Sequence, residues 1–386
     1  MSFGIIIFIV SILLVVMIHE SGHLLMAKLF NFKAPQFFVG FGPTLWSFKR
    51  GETEYGIKAI PAGGFVKIVG MNPYETVPPE DQPRAYGNKP RWQRALVLVA
   101  GSATHFVIAF IVLLITAMTI GFPADAPSRE IAAISEQSAA SEAGLEPGDV
   151  IVAVDGDEVQ EWAEVSSFIQ EHPAEDVVFT VERDGDRVDV EATIGRALFD
   201  EAGPVASAAA DEELRAPRPG EELRGFMGIE PDIYETYSLP AAVGKSGSLV
   251  WQISRDSITQ GIPKIFTPIF NGDLFAALGG EERTAEDPIG VVGAGRIAGQ
   301  SVESGRYLEL IMLIVFFTIF VGILNLMPLP PLDGGHLAVV AYEAITGRTV
   351  DIRKLIPVAA AVISFFVLLF FAVLYLDIAR PVDIPF

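Results

Sequence analysis

Three ionisable residues follow directly on a long apolar run near the start of the chain: His19, Glu20 and His23. Residues four apart lie on one face of a helix, so both imidazoles can bind a single Zn²⁺. Glu20 lies beside them, where its carboxylate can act as general base toward water activated by the metal. Such a short pattern can also arise by chance, but a charged group at membrane depth costs about 2.5–3.5 kcal/mol and usually serves a function. The pattern therefore predicts a zinc site inside a membrane-spanning helix.

A zinc ion held by two histidines needs a further protein ligand. The best candidate is Asp333, which ends the sequence Asn-Leu-Met-Pro-Leu-Pro-Pro-Leu-Asp and is followed by two glycines. The three prolines must break a helix here, and broken backbone at membrane depth is tolerated only where it is buried or lines a wet cavity. A plain helix-capping role for Asp333 is the alternative. The chain has no cysteine, so thiolate ligands are excluded.

Four apolar stretches have the length and hydropathy of membrane spans, over residues 3–30, 95–121, 308–326 and 355–376. Half of the chain is hydrophobic (51%) and the mean hydropathy is +0.42, yet the formal net charge is −21. A soluble globule rarely combines these values. They predict a polytopic α-helical membrane protein with about four transmembrane helices and an acidic, water-exposed part. The chain offers no basic footprint, so nucleic acid is not expected as a partner.

Charge is distributed unevenly between the connecting segments. Residues 28–94 carry 10 Lys and Arg against 5 Asp and Glu, whereas residues 122–306 carry 13 against 36. By the positive-inside rule, we expect 28–94 to face the cytoplasm and the acidic segment to lie outside the cell membrane. No Lys or Arg precedes the first apolar run and no small-residue cleavage site follows it, so we expect it to remain as a span.

The acidic segment itself divides by composition. Short alternating strands at 150–154, 177–182 and 188–192, separated by Gly- and Asp-containing turns, indicate a small β-rich domain. An Ala-, Glu-, Pro- and Gly-rich stretch without periodicity follows and indicates a linker. Leu239, Val243 and Val250 recur at helical spacing, which predicts an amphipathic helix on the membrane or on the small domain. The predicted regions are the first two spans (1–121), the β-rich domain (122–196), an acidic linker (197–224), an amphipathic segment (225–306) and the last two spans (307–386).

The chain resembles a known family over nearly its whole length. His19-Glu20-x-x-His23 in a first span, followed far downstream by Asn-x-x-Pro-x-Pro-x-Leu-Asp-Gly-Gly, is similar to the site-2 protease family of intramembrane zinc metalloproteases. More narrowly, it resembles the bacterial RseP-like members, which regulate sigma-factor signalling. Further similarities are to the family's membrane-reentrant β-loop (40–43 and 61–67), to the start of its PDZ domains (143–151) and to the segment before its third span (288–291). Some relatives have two PDZ domains, and one is recognisable here.

The resemblance implies roles for particular residues. The implied catalytic base is Glu20, and the implied zinc ligands are His19, His23 and Asp333. Asn325 is implied to help hold the substrate backbone. The reentrant loop, at about residues 40–70, is implied to clamp the substrate in extended form through Gly63, Gly64 and Phe65.

The implied substrates are single-span transmembrane proteins in the lipid bilayer, such as anti-sigma factors or signal-peptide remnants. A substrate unwound for cleavage needs new backbone partners, which an added β-strand supplies. Residues 45–60 alternate with period two around a turn at Gly51, and residues 65–69 can add another strand. An ordinary cytoplasmic hairpin is the alternative. The PDZ-like domain, facing outward, can accept a peptide C-terminus or act as a structural spacer.

Two positions near the start of the second span depart from the family. Ser102 stands where the family usually has proline, and His105 where it usually has asparagine. The role of His105 stays open between support of the site and a hydrogen bond between helices. His336 is interpreted as interfacial rather than as a ligand.

Two other functions compete with proteolysis. One is a membrane-anchored PDZ adaptor with a non-catalytic metal site, and the other is a metal or solute carrier. The glutamate between the two histidines argues against the adaptor, because a purely structural site has no use for it. The absence of inverted repeats and the large outward domain argue against the carrier.

Overall fold

The computed structural model describes residues 2–72, 74–200, 203–208, 214–279 and 289–380. Among these residues the helices are α1 (Ser2–Leu29), α2 (Arg91–Thr119), α3 (Ala139–Ala143), α4 (Trp162–Glu171), α5 (Leu239–Asp256), α6 (Ile262–Asn271), α7 (Asp273–Gly279), α8 (Val291–Glu303), α9 (Tyr307–Asn325), α10 (Asp333–Thr346) and α11 (Ile356–Ala379). The strands are β1 (Gln36–Arg50), β2 (Thr53–Lys67), β3 (Phe122–Pro123), β4 (Ile131–Ile134), β5 (Val150–Val154), β6 (Asp157–Glu158), β7 (Asp176–Arg183), β8 (Asp186–Thr193), β9 (Gly195–Asp200), β10 (Gly203–Ala208), β11 (Glu222–Phe226), β12 (Ile229–Pro231) and β13 (Tyr234–Glu235). The chain divides into a unit formed by Met1–Thr116 with Leu239–Phe386 and a second unit, Ala117–Ser238.

Four helices of the first unit are long and apolar enough to cross a membrane. They are Ile6–Leu29, Arg91–Thr119, Tyr307–Asn325 and Ile352–Ala379, the last including a short 3₁₀ turn before α11. A helix satisfies all of its backbone hydrogen bonds within the segment, which a bilayer demands. These helices coincide with the four predicted spans, and that prediction is confirmed.

Small residues let α8 pack closely against α1. Ala294 and Ala298 of α8 are fully buried beside Phe8 of α1, and Leu310 of α9 completes the cluster. Such small side chains allow helix backbones to approach in a membrane protein. Of the segment 288–291 that resembles the family, Pro288 lies outside the described residues, and Gly290 is the N-cap of α8.

The long strands β1 and β2 bend back on themselves, so that their segments form a sheet of four adjacent strands. Residues 44–50 pair antiparallel with 53–58 across a turn at Gly51, whose φ is +64°. Residues 36–39 pair in parallel with 54–57 on one side and antiparallel with 64–67 on the other. The order across the sheet is therefore 44–50, 53–58, 36–39 and 64–67. Residues 64–67 form an edge, and the predicted strands around Gly51 are present.

The helix break predicted from the prolines is also present. Helix α9 ends at Asn325, and α10 begins at Asp333. The turn between them is tight, because a β-carbon added at Gly334 would lie 2.2 Å from the carbonyl oxygen of Leu326. The end of α9 and the first turn of α10 thus lie side by side.

The second unit contains a four-stranded sheet of order β6-β5-β7-β8 with helices α3 and α4. Its buried core includes Ile131, Ile151, Phe179, Val181 and Ile194. The predicted strand at 150–154 coincides with β5, and those at 177–182 and 188–192 lie within β7 and β8. The alternating pattern identified these strands correctly because one face of the sheet is buried and the other is not.

A correction concerns the predicted linker at 197–224. Its described residues include most of β9, all of β10 and part of β11, which form a three-stranded sheet of order β10-β9-β11. Ala197 and Leu198 are completely or almost completely buried. The Ala- and Glu-rich sequence has little strand propensity, but β9 pairs antiparallel with both β10 and β11, and this pairing overrides it. The compact unit also continues to Ser238, past the boundary predicted at 196.

Candidate metal centre

The fold brings the three implied zinc ligands into contact. Nε2 of His19 and Nε2 of His23 are 3.1 Å apart, and each lies 3.1 Å from Oδ2 of Asp333. The two histidines come from one face of α1, as their spacing predicts, and Asp333 comes from the first turn of α10. The histidines are only 8% and 6% exposed. These three side chains form a group that can hold one metal ion.

The donor atoms of this group fit a zinc ion. Nδ1 of His23 lies 2.8 Å from the carbonyl oxygen of Val97, which can only accept, so this nitrogen carries the proton and Nε2 presents a lone pair. Oδ2 of Asp333 is buried, and no hydrogen-bond donor in the described part of the chain satisfies it. Acceptors facing each other at this distance repel unless a cation lies between them. Ligand atoms about 2.0–2.1 Å from zinc in a tetrahedron lie about 3.3 Å apart, close to the observed spacing.

Helix α2 supplies contacts that the sequence analysis did not assign. Val97, Gly101 and His105 follow each other at intervals of four residues and therefore form one stripe of α2. The carbonyl of Val97 accepts from His23, and Nε2 of His105 lies 3.0 Å from Nδ1 of His19. The four-residue interval was visible in the sequence, but nothing there indicated which face of α2 meets α1.

Glycine is required in the middle of this stripe. A β-carbon added at Gly101 would lie 2.3 Å from Nε2 of His23 and 2.8 Å from Cε1 of His19. Gly22 makes the matching approach from α1, since its β-carbon would lie 2.5 Å from the carbonyl oxygen of Ala100. Two glycines thus let α1 and α2 meet closely at the metal centre.

Glu20 lies between the metal ligands and the edge of the β1–β2 sheet. Its Oε2 accepts a 2.9 Å hydrogen bond from the backbone N–H of Val66. A β-carbon added at the neighbouring Gly64 would lie 3.5 Å from Cγ of Glu20 and 3.1 Å from the carbonyl oxygen of Phe38. The carboxylate and the edge strand are therefore in direct contact.

The other residues named for substrate binding lie at different places. Gly63 has a φ of +129°, and Phe65 stacks on the rings of Phe38 and Phe41 at 5.8 and 6.1 Å. Asn325 is the last residue of α9 and is half-buried. Among the described residues, Asn325 makes no hydrogen bond to the metal group.

His336 lines a cleft beside the edge strand rather than the metal group. The cleft is also lined by Val66, Lys67 and Ile352. Burial lowers the pKa of the His336 imidazole, and nearby Asp333 opposes this effect. The interpretation of His336 as a non-ligand agrees with this position.

Comparison with known proteins gives a consistent result. Peptidase family M50 matches residues 7–371. The chain is 32% identical to the zinc metalloprotease Rip1 of Mycobacterium tuberculosis, over 95% of this chain and 91% of that protein. It is 27% identical to the zinc metalloprotease RasP of Geobacillus kaustophilus, over 91% and 92% of the two chains. It is also 27% identical to the chloroplastic membrane metalloprotease ARASP of Arabidopsis thaliana, over 86% of this chain and 69% of that protein.

All three relatives are named metalloproteases, and the match covers most of the length of each. Four membrane-length helices and a His-His-Asp group with both histidines buried fit a membrane-bound zinc peptidase. The predicted enzyme class and zinc cofactor are confirmed. The chain is a multi-pass membrane zinc metalloprotease and belongs to peptidase family M50, the site-2 protease family.

Proposed function

We propose that this protein is an endopeptidase that cleaves single-span membrane proteins inside the bilayer. In this proposal His19, His23 and Asp333 hold the zinc ion and Glu20 is the catalytic base. The observation that carries the proposal is the position of Glu20, which has the metal group on one side and the edge strand at Val66 on the other. A peptide lying along that edge passes directly over the base.

The edge strand offers the partner that an unwound substrate needs. Residues 64–67 pair with 36–39 on one side only. An extended substrate can add to the other side, so that main-chain hydrogen bonds replace those lost when its helix unwinds. Gly63 and Gly64 lack side chains that would keep a second backbone away. Asn325 is proposed to hold the substrate backbone from the end of α9.

The chain's own groups move the protons of the reaction. Zinc, when bound, supplies a Lewis acid that polarises the scissile carbonyl and activates water near neutral pH. The N–H of Val66 engages Oε2 of Glu20 and so orients the carboxylate. Oε1 of Glu20 then takes the proton from the attacking water and delivers it to the leaving amine nitrogen. The burial of the two histidines keeps bulk water from their ring nitrogens.

Exposed apolar side chains on the hairpin support its insertion into the membrane. Leu45 is 69% exposed, Trp46 58% and Ile60 54%. Such a cluster on a water-facing hairpin would be an aggregation hazard, whereas lipid or a transmembrane substrate would cover it. The hairpin is therefore proposed to be the membrane-reentrant loop that clamps the substrate.

The proposed sidedness follows from charge. The segment 28–94 has a balance of +5, which favours a cytoplasmic position, and the acidic Ala117–Ser238 unit is then proposed to face outward. That unit is proposed to contain one PDZ-like domain, predicted at 122–196, that binds the C-terminus of a substrate trimmed beforehand. Anti-sigma factors and signal-peptide remnants are the proposed substrate classes.

The test uses the full-length protein in detergent with several single-span reporter proteins. Glu20→Gln should lower cleavage by about 10²–10⁴-fold while zinc stays bound, because the base is lost and the ligands remain. A zinc chelator should abolish cleavage. Ser21→Ala is the matched control, since the Ser21 hydroxyl bonds only to Met17 O on the exposed side of α1. Full cleavage by Glu20→Gln would refute the assignment of the base, and zinc binding without cleavage of any reporter would favour the adaptor.

A further inference from the structure

The histidine that replaces the family's usual asparagine lies against one of the proposed zinc ligands. His105 is 1% exposed, and its Nε2 is 3.0 Å from Nδ1 of His19. The ring planes are inclined by 55° with centroids 5.1 Å apart, so the two rings meet through their nitrogens and not by stacking. The contact is therefore a hydrogen bond between two imidazoles.

The direction of this hydrogen bond follows from the metal. A zinc ion at Nε2 of His19 needs a lone pair there, so the proton of the neutral ring is on Nδ1. Nδ1 of His19 then donates, and Nε2 of His105 accepts. Metal-bound histidines nearly always donate their second N–H to an outer partner, which fixes both the tautomer and the ring orientation.

Both histidines of the proposed zinc site are positioned through Nδ1 by an acceptor on α2. His23 donates to the carbonyl of Val97, and His19 to His105, two turns farther along α2. His105 is itself confined by α9, since a β-carbon added at Gly322 would lie 2.8 Å from Cβ of His105. Any larger residue than glycine would displace the ring. His105 is thus held between α9 and the ligand that it contacts.

We propose that His105 is a positioning residue of the metal centre, which accepts the Nδ1 proton of His19 and thereby strengthens zinc binding. The proposal rests on the proposed assignment of His19 as a zinc ligand. Outer partners of this kind typically change metal affinity by about 10–100-fold. A carbonyl or carboxylate is the more usual partner, and here a neutral imidazole offers the same acceptor.

Zinc affinity of the full-length protein in detergent tests the proposal, measured by competition with a chromophoric chelator and Zn²⁺ alone. His105→Leu should bind zinc about 10–100-fold more weakly. His105→Gln should restore most of the affinity, because its amide oxygen can reach the place of Nε2. Ser102→Ala is the matched control, since Ser102 is buried one turn away on α2 and its hydroxyl has no hydrogen-bond partner among the residues that the structure describes. The thermal unfolding of the zinc-free protein is measured in parallel.

The outcomes separate positioning from packing. Weaker zinc binding by His105→Leu, with zinc-free stability equal to wild type and rescue by His105→Gln, supports the proposal. Wild-type zinc affinity in His105→Leu overturns it, as does an equal loss in both variants that matches a loss of zinc-free stability. His19→Ala serves to test the ligand assignment separately. If that variant keeps wild-type zinc affinity, the proposed metal site is wrong and the role of His105 falls with it.

Discussion

Replacement of Gly101 by alanine should strongly weaken zinc binding at the site without unfolding the protein. The added β-carbon would lie 2.3 Å from Nε2 of His23, whereas ordinary contacts begin at 3.4 Å, so the ring must move by about 1.1 Å. Nδ1 of His23 is bonded to Val97 on the same helix, so the ring cannot turn aside and keep that bond. Zinc sites tolerate about ±0.2 Å in ligand distance, which this displacement exceeds.

The expected loss of zinc affinity follows from the binding free energy that one ligand contributes. Structural zinc sites are worth about 10–16 kcal/mol in all, so one ligand of four contributes about 3 kcal/mol or more. Its loss weakens binding by about 100-fold or more. Displacing the histidine rings costs about 1–3 kcal/mol in the zinc-free protein as well, against about 1 kcal/mol gained because alanine is the better helix former. The zinc-free variant should therefore be less stable than wild type by about 2 kcal/mol at most.

Zinc content and zinc affinity of the purified protein measure this effect, with peptide cleavage as a second readout. Gly244→Ala is the matched control, because Gly244 also lies within a helix but has no atom within 4 Å of an added β-carbon. That variant should bind zinc and cleave normally. One equivalent of zinc bound by Gly101→Ala with wild-type affinity would show that α2 does not approach the ligands as described.

Two further predictions concern the edge strand and the second unit. Val66→Pro removes the N–H that orients Glu20, so kcat for a reporter should fall about tenfold or more with zinc content unchanged. Val66→Leu, which keeps the N–H, is the control, and equal rates would contradict the role of this bond. Burial alone would raise the pKa of Asp149, but hydrogen bonds from Arg183 and from the backbone hold it below its ordinary 3.8. Asp149 therefore stabilises the unit fully above about pH 3.8, and this stabilisation is lost as the pH falls through the lowered pKa. Asp149→Asn should reduce hydrogen-exchange protection of β5 and β7 at pH 7, and the difference should vanish in strong acid. A difference independent of pH would refute this.

The sequence by itself determined the membrane spans and two of the three residues of the metal group. Span length and hydropathy are properties of contiguous residues, so they are readable without any tertiary contact. His19 and His23 belong together because one helical turn separates them, whatever surrounds the helix. The strands at 150–154, 177–182 and 188–192 were likewise visible, because alternation reflects one buried face. The linker prediction over 197–224 was wrong, because its weak strand formers are held by pairing of β9 with β10 and β11, which composition does not reveal.

Only the tertiary structure decided what surrounds the two histidines. Asp333 was inferred because zinc needs a ligand besides the two histidines and because a family motif contains it. Its Oδ2 lies 3.1 Å from Nε2 of each histidine only because α10 folds back after the break that follows α9. The places of Gly101 and His105 depend on how α2 packs against α1, and a residue's position along one helix does not say which side chain of another helix it meets. The contact of Glu20 with Val66 joins a helix to the edge of a sheet whose order comes from irregular pairing. Long-range packing, unlike helical periodicity, leaves no local pattern along the chain.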